Sequence, residues 1–396
     1  MWFWLVGAAV LITWVLFAIR ALPGLLRSAS LTPSSSDAHP NLRSRSGFVD
    51  FEAQGTFPKV SVLLAARNEA RSISKTLASL QAQTWPNLEV IAVDDRSTDN
   101  TAGLLDAMAA SWPELKVVHI QELPGGWLGK PYAIQTASKL ATGDWLLLTD
   151  ADVEFAKDAV DTAMRYTLAA DADHLALSPT LIARGFWLRA TVYFFLYNVV
   201  LFFRPQDADR RESSASVGIG AFNLVRKSAY EKVGGHGSVA LRTDEDLALG
   251  TVLKKAGFKQ VFAGGSRLLF VEWYPTLSEM ARGLEKNALA PFQYRFWKFT
   301  LAMLTMLLFY DGPFIGTLAV EHWPRLLFGL AFAIELYLFH MTRRYSGVSS
   351  AWALAMPLAA PVLFVILARA AILCAVRGGV QWRGTFYSLK ELRNKS

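Results

Sequence analysis

The sequence predicts an α/β domain with a mostly parallel sheet, flanked by transmembrane helices. Three observations predict it. Short apolar runs alternate with helical stretches between about residues 59 and 292. Long, almost uncharged segments stand at both ends. The chain is 53% hydrophobic and only 18% charged, which is low in charge for a soluble domain.

Residues 1–26 read as an N-terminal transmembrane anchor. Trp2–Ile19 is uncharged, and a helix rising about 1.5 Å per residue carries it nearly across a hydrocarbon core of ~30 Å. Arg20, Arg27, Arg43 and Arg45 follow this segment instead of preceding it. That order argues against a cleaved leader and predicts, by the positive-inside rule, a domain on the cytoplasmic side of the cell membrane.

Residues 27–57, rich in Ser, Pro and Arg without an apolar period, read as a linker. The globular pattern occupies residues 58–292. Strands are expected at 58–64, 88–93, 116–120 and 145–148, with helices at 70–82 and 101–111. The run 186–203 carries Arg189 and is read as an interfacial helix in preference to a span. Residues 293–396 form a C-terminal transmembrane region and tail, with candidate spans near 299–320, 324–341 and 351–376. Three crossings would leave Arg377, Arg383, Lys390, Arg393 and Lys395 opposite the globular domain, against the charge rule. Pro357 and Pro361 admit a bent or re-entrant last segment, and Asp311-Gly312-Pro313 a break in the first.

The net charge of +7 is scattered and no nucleic-acid motif accompanies it. Anionic headgroups account for it, and no nucleic-acid partner is expected. A single cysteine, Cys374, excludes an intrachain disulfide and a cysteine metal cluster.

The chemistry begins at Thr149-Asp150-Ala151-Asp152, an Asp-x-Asp just beyond the apolar run Trp145–Leu148. Ligands of an open α/β sheet bind at such strand ends. Hard divalent cations take oxygen ligands and bridge a few carboxylates to phosphates, so the spacing suggests a Mg²⁺ or Mn²⁺ site holding a diphosphate. Asp94-Asp95 ends a second run and leads into the polar turn Arg96-Ser97-Thr98-Asp99, while Ala65-Ala66-Arg67-Asn68-Glu69 ends the first. Each motif alone also fits a solvated helix cap. Adjacent strand ends at a switch point would converge on one crevice.

Together the motifs resemble the family-2 glycosyltransferases of the GT-A fold. Val60–Glu69 looks like that family's opening strand, Val93–Asp99 its nucleotide-binding turn, and Thr149–Asp152 its metal motif. Thr243–Gly250, followed by Lys254–Phe258, is similar to its Glu-Asp motif and the succeeding helix. The flanking apolar segments resemble the membrane-bound branch, which includes lipid glycosyltransferases and polysaccharide synthases. The resemblance implies that Asp94 and Asp95 contact the base and ribose of a nucleotide sugar, with Ala66, Arg67 and Glu69 lining the pocket. Asp150 and Asp152 would hold the metal on the diphosphate, and Lys130 would add positive charge there. Aligning Glu245-Asp246 with the Glu-Asp pair keeps Leu249 and Gly257 in register and makes Asp246 the expected general base, with Asp244 the alternative.

The processive branch carries Gln-x-x-Arg-Trp after the base, whereas the comparable region here reads Arg282-Gly283-Leu284-Glu285-Lys286-Asn287. Arg282 and Lys286, with Glu245, are expected as diphosphate or acceptor contacts. Arg282 and Lys286 fit an interfacial basic helix equally well. Gly218–Asn223 and Gly234–Gly237 fall where the family builds its acceptor site; His236 reads as a hydrogen-bonded loop residue. The expectation is an inverting enzyme that moves sugar from a nucleotide donor, a UDP-sugar, to a lipid acceptor. A processive polysaccharide synthase and an inactive scaffold are the alternatives.

Overall fold

A computed structural model describes residues 2–27, 29–32, 57–286, 288–289, 292–382 and 385–389. Its centre is a sheet of eight strands: β1 (Ala29–Ser30), β2 (Val60–Ala66), β3 (Leu88–Asp95), β4 (Leu115–Ile120), β5 (Trp145–Asp150), β7 (His174–Ser178), β9 (Asn223–Arg226) and β10 (Gln260–Gly264). Their order is β1-β10-β7-β9-β5-β2-β3-β4, and only β9 runs antiparallel to its neighbours. The expected mostly parallel sheet is present.

Continuous apolar runs form this sheet because both of its faces are covered. Val62, Leu64, Val90, Ala92 and Leu147 pack with Leu77 and Leu80 of α2 (Ile73–Gln81) and Leu105 of α3 (Thr101–Ala109). On the other face, Leu63, Ile91, Val93, Leu146 and Leu148 pack with Ala133, Ile134 and Ala137 of α4 (Gly129–Leu140). α5 (Ala159–Ala169) completes the first layer. A small sheet of β6 (Val153–Phe155), β8 (Thr180–Leu181) and β11 (Leu269–Val271) lies beyond β5.

The start of the expected linker is instead part of the sheet. Ala29 and Ser30 pair in parallel with Ala263 and Gly264, and Leu31 is buried. Two residues of strand are too short for an alternation to show. Residues 33–56 of that linker lie outside the described residues.

Among the described residues, five helices are long and apolar enough to cross a membrane: α1 (Trp2–Arg27), α6 (Phe186–Phe203, continuing to Asp207), α10 (Phe296–Ala319), α11 (Pro324–Ser346) and α12 (Met356–Arg377, preceded by a 3₁₀ turn Ser350–Ala355). Between α6 and α10 come α7 (Lys227–Lys232), α8 (Glu245–Lys255) and α9 (Leu277–Gly283). Asp311-Gly312-Pro313 does not break α10. A proline at 313 frees the carbonyl four residues earlier, and Trp14 Nε1 donates to Phe309 O at 2.8 Å.

The ends of these helices fix how they run. α1 and α11 are side by side, with Gly7 against Phe328 at one end and Arg344 donating to Leu26 O at the other. The Arg344 end also meets the sheet at Gly264. α10 points the opposite way, its Gly316 against Phe328. α6 is different: it follows β8 directly, and at its far end Asp207 pairs with Arg27. Its Leu188, Phe194, Tyr197 and Leu201 pack with Ala176 and Phe262 of the sheet in one apolar cluster. Both of its ends are therefore held at the globular domain. α12 repeats this pattern. It begins beyond Trp352, whose ring meets Phe186, and ends with Arg369 and Arg377 on Glu285, at 2.6 and 3.2 Å.

Candidate active site at the strand ends

Parallel register brings the acidic turns together. Ala66 sits opposite Asp94, and Ala65 opposite Asp150, so β2, β3 and β5 end in one row. Asp94 and Asp95 are both buried. Arg96 Nε donates to Asp95 Oδ1 at 2.7 Å, Arg67 stands 3.9 Å from Asp95 Oδ2, and that Oδ2 has no hydrogen-bond partner among the described residues. Asn68 and Arg96 take positive φ, 58° and 55°. This costs energy for residues other than glycine and is held by Ser97 Oγ on Asn68 N and Asn68 Oδ1 on Thr98 N. The two turns are thus stitched to each other. Gly129 is needed where α4 begins, since a Cβ there would stand 2.0 Å from Asp95 Oδ2.

His119, from β4, was not legible as a site residue. Its Nδ1 lies 3.4 Å from Asp94 Oδ2 and its Nε2 3.0 Å from Asp106 Oδ1. Burial works against the imidazolium, but Asp106 and Asp94 outweigh it and hold His119 above its ordinary value. Only the pairing of β4 with β3 could have announced this contact.

Lys130 is the hub. Its Nζ stands 2.5 Å from Asp150 Oδ1 and 2.6 Å from Glu245 Oε1. Burial opposes its charge, yet Asp150, Glu245 and Asp246 together keep it firmly protonated. The lysine after the Gly-rich turn therefore joins the Asp-x-Asp motif to the Glu-Asp motif nearly a hundred residues on.

Asp152 is raised to about 7, by burial first and then by Asp150 and Glu69, with Lys130 opposing. Three carboxylates share that corner, and their mutual repulsion is what a divalent cation would relieve. No group of three or more His, Cys, Asp or Glu side chains fit to hold a metal occurs among the described residues. Asp150 and Asp152 alone suit a Mg²⁺-like ion that completes its shell with waters and phosphate oxygens.

Asp246 opens α8 and is half-buried. Burial and the adjacent Glu245 push it up to about 7 against the pull of Lys130, where a general base is effective near neutral pH. Asp244 is a poor alternative. Arg242 forks it at 2.8 and 2.7 Å, and the pair is exposed.

The Gly218–Asn223 stretch closes over this group. A Cβ on Gly218 would meet Asp246 O at 1.8 Å, and one on Gly220 would meet Asp150 Oδ2 at 2.5 Å. Only glycine lets that backbone approach. His236 is buried, accepts or donates with Tyr230 OH at 2.8 Å, and is lowered to about 3 by burial and then Lys130. It is a neutral packing residue. Arg282 is exposed on α9 and, among the described residues, makes no hydrogen bond or ion pair to the acidic cluster. The side chain of Lys286 lies outside the described residues.

The sequence profile of glycosyl transferase family 2 matches residues 61–234. A β-monoglucosyldiacylglycerol synthase from a Nostoc species is 29% identical over 217 residues, 53% of this chain and 45% of that protein. A 4,4'-diaponeurosporenoate glycosyltransferase from Staphylococcus haemolyticus is 28% identical over 206 residues, 50% of this chain and 52% of its own length. The chain thus matches about half the length of these curated relatives. A mannosyltransferase from Pyrobaculum calidifontis, solved with GDP-Man and Mn²⁺, aligns over 94% of this chain and 92% of its own, at 19% identity and a TM-score of 0.48.

Proposed function

Residues 61–234 are a glycosyltransferase family 2 domain, and from that premise we propose that the chain is a membrane-bound, inverting enzyme moving a sugar from a nucleotide donor to a lipid. The observation that carries this reading is the convergence of Asp150, Glu245 and Asp246 on Lys130, with Asp95 against the preceding Gly129. Asp94 and Asp95 would receive the base and ribose of a UDP-sugar, with Ala66, Arg67 and Glu69 beside them. Asp150 and Asp152 would hold a Mg²⁺ or Mn²⁺ ion, which when bound neutralises the diphosphate. Lys130 adds a fixed cation where the leaving group gathers charge. Asp246 takes the acceptor hydroxyl proton as the oxygen attacks the anomeric carbon opposite the diphosphate, in a single displacement.

The membrane arrangement follows from the helix ends. α1, α10 and α11 cross, while α6 and α12, held at the domain by both ends, lie in the interface. The domain and the basic C-terminal residues then share the cytoplasmic side, and the conflict with the charge rule disappears.

Purified protein given nucleotide sugars and a lipid extract should yield an organic-soluble glycolipid of one or few sugars. A long water-soluble polysaccharide made without lipid would favour the synthase, and absence of any donor turnover would favour the scaffold.

A further inference from the structure

A cavity of about 330 Å³ opens beside the active site and has no part in the donor chemistry described above. It is walled by Arg20 of α1, by Phe202, Phe203 and Arg204 at the end of α6, by Ser213–Ser216, and by Leu247 and Thr251 of α8. Leu247 directly follows Asp246, so the inner wall is the helix turn that carries the proposed base.

Its lining combines aromatic, cationic and hydroxyl-bearing residues. Phe202 and Phe203 are 53% and 50% exposed. Arg20 lies eighteen residues beyond Trp2 on α1, about 27 Å along a helix, which is headgroup depth for a spanning segment. Ser213, Ser214, Ser216 and Thr251 also line it, the hydroxyls of Ser216 and Thr251 bonded to each other at 2.8 Å, and no carboxylate is among the lining residues. Arg204 sits in the left-handed region at φ 51° and pairs with Asp207, which it shares with Arg27. Its Nε is buried without a hydrogen-bond partner among the described residues. Arg20 makes none of the hydrogen bonds or ion pairs found among the described residues.

We infer that this cavity is the acceptor subsite and that it takes an anionic oxygen group, carboxylate or phosphate, of a membrane lipid, held beside the hydroxyl that the lipid presents to Asp246. Arg20, exposed in the cavity wall and without an ion pair among the described residues, can meet such a group with a bidentate charge-assisted pair, whereas a neutral glycerol head brings it no charge. The phenylalanines face the acyl chains, which commits the occupant to a lipid over a free anion. The inference rests on the proposed transferase reading for its role, but binding can be measured without donor.

The test uses the full chain in neutral detergent micelles with tritiated phosphatidic acid, palmitic acid or dioleoylglycerol. Phosphatidic or palmitic acid should bind at least roughly tenfold more tightly than dioleoylglycerol, and Arg20→Gln should remove most of that preference. Arg20→Lys should retain part of it, and glycerol 3-phosphate, a head without chains, should not compete. Which of the two acids binds better separates carboxylate from phosphate. Equal binding of all three lipids, an unchanged preference in Arg20→Gln, or full competition by glycerol 3-phosphate would overturn the inference. Nucleotide release by the parent protein is followed in parallel. Its absence would count against the transferase and leave the lipid result standing.

Discussion

Replacing Asp246 by Asn tests the base and its tuning together. The carboxyl is raised to about 7 by burial and by Glu245, against Lys130. A group of that affinity is about one-tenth ionised at pH 6 and about nine-tenths at pH 8, so a rate that needs the carboxylate rises roughly tenfold between them. The direction follows from the role: a base works deprotonated, and activity grows as pH climbs through 7. Asp246→Asn should lower turnover by roughly 10²–10⁴-fold and flatten that limb, while nucleotide affinity stays within a few-fold of the parent. Initial rates of glycolipid formation from pH 5.5 to 8.5 at saturating donor, with calorimetric titration of the nucleotide, give both readouts. Persistence of the acidic limb in the Asn variant would refute the assignment. Loss of activity in Asp244→Asn instead would move the base to Asp244.

Three further outcomes are expected. Asp150→Ala and Asp152→Ala should each lose metal-dependent nucleotide binding, and excess chelator should silence the parent; full activity in chelator would end the metal reading. Glu89 accepts bonds from Ser61 (2.6 Å), Thr142 N (2.7 Å) and Lys116 (3.0 Å), which outweigh its burial and bring it from 4.5 to about 2; this is worth about 3 kcal/mol of folding stability. Because the folded value is lowered, that stability is complete above about 4.5 and fades as pH falls toward 2. Glu89→Gln should therefore melt lower than the parent at pH 7, and an equal gap at pH 3 would contradict the account. In a Cys374→Ser background, Glu321→Cys should react with an impermeant maleimide on intact cells and Phe386→Cys only after permeabilisation. The reverse pattern, or labelling of both, would remove the three-span arrangement.

Much of the fold was legible because burial on both faces leaves unbroken apolar runs, and β2, β3 and β5 have them. The acidic turns were legible because they are local: a strand end followed by a polar cluster. What stayed hidden depends on register or on distant chain. β1 is only two residues long. His119 reaches Asp94 only because β4 pairs with β3, and the continuity of α10 through Pro313 depends on a tryptophan about three hundred residues earlier. Periodicity carries none of this information.

The acidic cluster at Lys130 is completed by chain that the family profile does not span. The profile ends at residue 234, whereas Glu245 and Asp246 lie beyond it. They are brought back by two close approaches of backbone: Gly218 against Asp246 O and Gly250 against Val217 O, each leaving a would-be Cβ at 1.8 Å. A side chain at either position would push α8 outward by more than a rotamer change can absorb, since the opposing atom is main chain in both cases. Lys130 would then lose Glu245 while keeping Asp150, and the Asp150 side of the cluster would part from the Asp246 side. The same displacement would move Leu247 and Thr251, which wall the neighbouring cavity. The placement of α8 therefore links three things at once: the charge balance at Lys130, the ionisation of Asp246, and the shape of the cavity beside it.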